Sequence, residues 1–119
     1  MTRVSFTATG LQVHFPGWEA AMTRRRSFSV APEAIISAHA EEGWSSQILG
    51  FRSGLAISGF RKVGIFRHPS GVKRLVSMKR GLPLLRVAVD RAATGFDELL
   101  LSTAEAPALA EAIRAQSRH

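Results

Sequence analysis

The feature that most constrains this chain is its hydrophobic period, which is two for most of its length and turns helical only at the end. In residues 3–8, Val4, Phe6 and Ala8 alternate with Arg3, Ser5 and Thr7. That is the pattern of a strand with one dry and one wet face. Thr9-Gly10 interrupts it, and Leu11, Val13 and Phe15 resume it, so 3–8 and 11–15 read as a hairpin with a tight turn. Pro16-Gly17 ends the second strand. Trp18, Ala21, Met22 and Arg25 follow at helical spacing, which predicts a short helix or a turn-like link. Short strands are expected at Phe28 and Val30 and over 35–40, with Ala31-Pro32 between them. Four more are expected over 60–67, 72–78, 83–89 and 96–102, with turns at 68–71, 79–81 and 90–95. Strand starts roughly ten to twelve residues apart are the signature of an antiparallel meander.

The last segment changes period. Ala106, Leu109, Ala110 and Ile113 share one helical face, and Glu105, Glu111 and Arg114 take the other. Pro107 fits a first turn. Ala104 and Ala106 offer no side-chain acceptor, so Thr103 caps only a helix that starts earlier. The expected architecture is therefore mainly β, about seven strands and one C-terminal helix near 105–116 that covers an open end of the sheets. Its expected core is Val4, Phe6, Phe28, Ile36, Phe66, Val76, Leu85, Val87, Leu100, Leu109 and Ile113. At 119 residues and 45 % hydrophobic content, residues 1–119 form a single domain with one core. The stretch 43–59, with glycines at 43, 50, 54 and 59, lacks a clear period and reads as the longest irregular segment.

Charge is unevenly placed. Lys and Arg total 16 against 9 Asp and Glu, a formal charge of +7. No acid lies between Glu42 and Asp90, a stretch that holds Arg52, Arg61, Lys62, Arg67, Lys73, Arg74, Lys79, Arg80 and Arg86. Arg24-Arg25-Arg26 forms a second cluster upstream. Such a distribution sets up a positive field that attracts anionic partners. The candidate ligand-binding residues are Arg61, Lys62, Arg67, Lys73 and Arg74, with Arg24, Arg25 and Arg26. Membrane phospholipid ranks ahead of nucleic acid as their ligand. Single-strand binders interleave exposed aromatics with basic residues, whereas Phe60 and Phe66 share parity and point to one face, the core side. Exposed strand edges also invite a protein partner or a second copy, so a purely self-assembling scaffold is an alternative.

Three stretches carry a family likeness. Residues 22–36 combine a basic segment, a short strand and a turn into another strand. Residues 59–67 form a glycine-bracketed strand, and 96–101 followed by Ala106-Pro107 gives a last strand and helix start. In these the sequence resembles a family of small bacterial pleckstrin-homology-like (PH-like) domain proteins. It departs from that family at Leu75-Val76, where an aromatic pair is usual, and at Ala106, where an acid is usual. The resemblance implies a barrel of two near-orthogonal antiparallel sheets plugged by the helix. It also implies a binding module for a lipid headgroup, a peptide or a protein. Lipid-binding PH domains use basic residues around the loop joining the first two strands. Here that loop is Thr9-Gly10, with no basic residue nearer than Arg3, so an anion site is expected at 61–80 or 24–26 instead.

Catalytic signatures are missing from the sequence. The chain has no cysteine, which removes thiolate chemistry and disulfides. His14, His39, His68 and His119 are far apart, without metal-ligand spacing. Gly54 and Gly59 match half of a phosphate loop, but Phe60-Arg61 stand where lysine and a hydroxyl residue are needed. No nucleophile elbow or Ser-His-Asp set is favoured. A non-enzyme without cofactor or metal is expected. Trp18 is expected under the sheet. Trp44 is expected as a loop anchor, or with Ile48, Leu49 and Phe51 as a bilayer-touching loop. The N-terminus lacks an apolar signal region. Apolar runs such as Leu99-Leu100-Leu101 fall far short of the ~20 residues that span a bilayer. A cytoplasmic protein is expected, peripheral at the inner membrane face where it meets lipid.

Overall fold

The computed structural model describes residues 2–15, 17, 20, 23, 25–41, 51–57, 61–67, 69–79 and 81–117, of which 51–57, 61, 62 and 117 are described by backbone alone. Strands β1 (Arg3–Thr7), β2 (Gly10–His14) and β3 (Ser27–Val30) form a three-stranded antiparallel sheet in that order. The alternation read from the sequence is visible in it, with Val4 opposite Val13 and Phe6 opposite Leu11. Gly10 sits at φ +117° against β3, where a Cβ would lie 2.1 Å from the Val30 carbonyl oxygen. Only glycine fits such a close approach at positive φ.

A 3-10 turn at Pro32–Ala34 leads into β4 (Ile35–Glu41). The chain continues through β5 (Phe51–Ile57), β6 (Arg61–Arg67), β7 (Lys73–Lys79), β8 (Leu84–Val89), a four-residue helix α1 (Arg91–Thr94), β9 (Glu98–Ser102) and the terminal helix α2 (Ala106–Ser117). These strands make a second sheet in the order β4-β8-β9-β7-β6-β5. The protein is thus mainly β with a C-terminal helix, as its pattern predicts. Neither sheet closes on itself, because each order has two ends.

Four expectations need correction. The described strands number nine rather than about seven. The larger sheet is not wholly antiparallel, because β9 slots between β8 and β7 and runs parallel to β7. Part of the supposed irregular stretch, 51–57, is strand β5, while 42–50 and 58–60, with Trp44 and Phe60, lie outside the described residues. Trp18 does too, although Ala20 and Thr23 of the expected link are helical. The turn at 90–95 holds helix α1, capped by the Asp90 side chain on the Ala92 N–H and ended by Gly95 at φ +84°.

The core lies between the sheets. Leu11, Val13, Phe15 and Val30 of the small sheet's side meet Leu75, Leu85, Val87, Leu99 and Leu101 of the large one. Helix α2 adds Ala106, Ala110 and Ile113. The opposite face of the large sheet buries a second cluster of Phe66, Val76, Met78, Leu84 and Leu100. Of the expected core, Val4, Phe6, Phe28 and Leu109 are half-buried against it. Ile36 is not core at all and stands 69 % exposed. The register shift between Ile35 and Ser37 where β4 meets β8 breaks the alternation that placed it inside.

Candidate anion-binding surface

Phe28 on β3 and Phe96, just before β9, meet edge to face with ring centres 5.4 Å apart. Their contact links the two sheets, and Phe96 is almost wholly buried. The Arg25 guanidinium carbon lies 5.2 Å from the Phe28 ring centre and 5.0 Å from that of Phe96. The Lys73 ammonium lies 5.1 Å from the Phe96 centre. Cations are held at such rings by the negative face of the aromatic quadrupole. Arg25 is further fixed by its own turn, where its Nε donates to the Thr23 carbonyl at 3.2 Å and the Thr23 hydroxyl donates to the Arg25 carbonyl at 3.1 Å.

Asp97 ties Lys73 in place from the other side. The Lys73 backbone N–H donates to Asp97 Oδ2 at 2.9 Å, and the Asp97 N–H donates to the Lys73 carbonyl at 2.8 Å. Arg91, at the first position of α1, donates from Nη1 to the Gly71 carbonyl at 2.6 Å and to Asp97 Oδ2 at 3.2 Å. Arg67 closes the group, paired with Lys73 in the β6–β7 register. Lys73 reports the crowding. Burial, then the charges of Arg67, Arg91 and Arg25, hold its pKa below the ordinary lysine value. Burial lowers that of Arg25 as well. Among the described residues four cations share one carboxylate here, so positive charge exceeds negative. The terminal nitrogens of Arg25 and the Lys73 ammonium have no hydrogen-bond acceptor among the described residues. Such a group can receive an anion's oxygens.

The structure sorts the sequence-predicted residues. Arg25, Arg67 and Lys73 come together. Arg26 is exposed, and its carbonyl accepts the Phe15 N–H at 2.8 Å. Arg24 and the side chains of Arg61 and Lys62 lie outside the described residues. Arg74 does not join the cluster. It is buried on the far face of β7, where its Nε donates to Glu98 Oε1 at 2.8 Å. Glu98 also accepts from Arg86 Nη1 at 2.9 Å, and Arg86 Nε donates to Glu41. Burial works against the Arg86 charge, but the hydrogen bonds and attraction of Glu41 and Glu98 outweigh it and raise its pKa. Arg91 was not singled out from the sequence, because it follows Asp90 and so falls outside the acid-free run. The signal that could have placed it is the helix-start and helix-stop pattern of Asp90 followed by Thr94-Gly95, a stretch expected from the sequence to be a turn.

No family model, no curated protein and no solved structure matches this chain. Among the described residues no three histidine or carboxylate side chains stand together as a metal site would require. No helix among them is long and apolar enough to cross a membrane.

Proposed function

We propose that this protein is a non-catalytic binding module of PH-like type, and that it takes the phosphate of an anionic membrane phospholipid on the surface formed by Arg25, Arg67, Lys73 and Arg91. The observation that carries this reading is the set of unspent donors of Arg25 and Lys73 held over Phe96, inside a cluster whose positive charges exceed its negative ones. Like charges are costly to gather, and a bound anion relieves that cost. The PH-like assignment is supported by the sequence likeness and by a terminal helix packed into the core between two sheets, while the parallel β7–β9 pair departs from it. A basic residue near an anionic leaflet contributes about 1 kcal/mol, so four acting together give measurable binding that weakens as salt rises.

The test is co-sedimentation with phosphatidylcholine vesicles, with and without phosphatidylglycerol, for wild type, Lys73→Glu and the Arg61→Glu, Lys62→Glu double variant. Recovery on the anionic vesicles alone, lost in Lys73→Glu, is the expected result. Loss only in the double variant moves the site to residues 61 and 62. Equal recovery on both vesicle types ends the lipid reading. Duplex or single-stranded DNA that displaces the protein from anionic vesicles at lower phosphate concentration turns the assignment to nucleic acid.

A further inference from the structure

The small sheet ends in β1 and β3, and the large one in β4 and β5. A free edge is a row of unpaired backbone donors and acceptors, which proteins keep short, charge or cover. Strand β1 has five residues and carries Arg3, and β3 has only four. Helix α2 packs against β4. Strand β5 shows no such protection among the described residues. Its seven residues, Phe51–Ile57, pair with β6 on one side and with no described strand on the other. They include one charge, Arg52, and neither lysine nor proline. The register with β6 runs without a shift from Phe51 opposite Arg67 to Ile57 opposite Arg61, so no bulge turns this edge away.

The order of residues along β5 argues for a second copy as the occupant. A strand that pairs antiparallel with its own copy does so about a two-fold axis. Only an axis at the central residue, Gly54, keeps all seven residues paired. That register sets Phe51 opposite Ile57, Arg52 opposite Ala56 and Ser53 opposite Leu55, each of them twice. The apolar ends of the strand thus meet each other. An axis at Arg52 would set the cation against its own copy, and like charges directly opposite are unfavourable, whereas the Gly54 register gives it a neutral neighbour. On the axis itself stands a glycine, which inside a strand suits close approach by another backbone, and its neighbour across β6 is Gly64. We infer that β5 is the interface of a two-fold dimer, in which two copies of β5 join antiparallel about Gly54 and make one continuous sheet from two six-stranded ones. This inference does not rest on the anion-binding reading.

The chain has no cysteine, so single introduced cysteines in the full-length protein report the register. Gly54→Cys brings two thiols together on the axis, and mild oxidation should give a disulfide-linked dimer. Ile57→Cys sets its two thiols roughly 20 Å apart, six residues along the strands, and should stay uncrosslinked. Mixing Ile57→Cys with Phe51→Cys should crosslink. Sedimentation equilibrium then measures the dissociation constant, with circular dichroism to show that each variant is folded. Ala56→Arg places an arginine opposite Arg52 at two positions and should weaken the dimer about fivefold or more. Adding Arg52→Glu should restore it, because each arginine then meets a carboxylate. Salt should tighten the wild-type dimer by screening two chains of charge +7 from each other. That is the reverse of its effect on vesicle binding, which keeps the two outcomes apart. A wild-type chain that stays monomeric at every concentration and salt level overturns the inference. So does Ile57→Cys crosslinking as readily as Gly54→Cys, or a double variant that dimerises no better than Ala56→Arg alone.

Discussion

Lys73 shows how a residue proposed to bind an anion costs the fold that holds it. Its pKa is lowered in the folded protein, first by burial and then by Arg67, Arg91 and Arg25. Between that lowered value and the ordinary one, the unfolded chain binds more protons than the folded one, so stability rises with pH across this window. Below the window Lys73 is charged in both states, and its crowding with Arg67, Arg91 and Arg25 is present in full. Lys73→Met should therefore raise the melting temperature at pH 7 and flatten the alkaline rise, while anionic-vesicle binding falls. Paired thermal melts at pH 7 and pH 10 check this, and a lower melting temperature at pH 7 would count against it. The sequence showed that Lys73 is one cation in an acid-free run, and parity could have shown more. Arg74 shares its face with Val76 and Met78, both buried, and a residue on that face finds a partner or stays costly. Its partner Glu98 is distant in sequence, so the pairing was invisible until β9 was placed beside β7.

At the scale of elements, local signals were the legible ones. The β1–β2 hairpin was written in alternation and Thr9-Gly10, and α2 in a change of period. The order of strands in the large sheet was not, because β9 leaves β8 and enters between β8 and β7. One hint was present. Leu99, Leu100 and Leu101 are all fully buried, and an uninterrupted apolar run marks a strand covered on both faces, as central strands are. The helix also docks differently from its simple stripe. Ala106, Ala110 and Ile113 face the core, whereas Leu109 is half-buried at the groove beside β1. Ile113→Ala should cost about 2–5 kcal/mol. Leu109→Ala should cost less than Ile113→Ala and should not detach the helix. Urea unfolding of both variants, with circular dichroism at 222 nm, reads the order, and a larger loss at Leu109 would make that residue the plug instead.

Across the whole molecule, two charge systems occupy different sites and do opposite work. On one face of the large sheet the cations are matched, since Arg74, Glu98, Arg86 and Glu41 form a row across β7, β9, β8 and β4. Glu98→Ala leaves two arginines without that carboxylate and should cost about 3–5 kcal/mol, the usual loss when one member of a buried ionic group is removed. Arg74→Met should be near neutral by the same denaturation measurement, because Arg74 Nη1 is buried without a partner and Glu98 keeps Arg86. Around Phe96 the cations outnumber the carboxylates among the described residues, and the proposed anion would pair with them. Any salt should stabilise a chain of charge +7 somewhat by screening its self-repulsion. A site adds a second effect, since a ligand that binds only the folded state stabilises it by about 1.4 kcal/mol at ten times its dissociation constant. At matched ionic strength, phosphate should then raise the melting temperature a few degrees more than chloride does. Lys73→Met should lose that excess yet keep the common salt response, because screening depends on total charge and the excess on one place. Equal effects of phosphate and chloride on wild type would mean that the crowded cations around Phe96 hold no anion of their own.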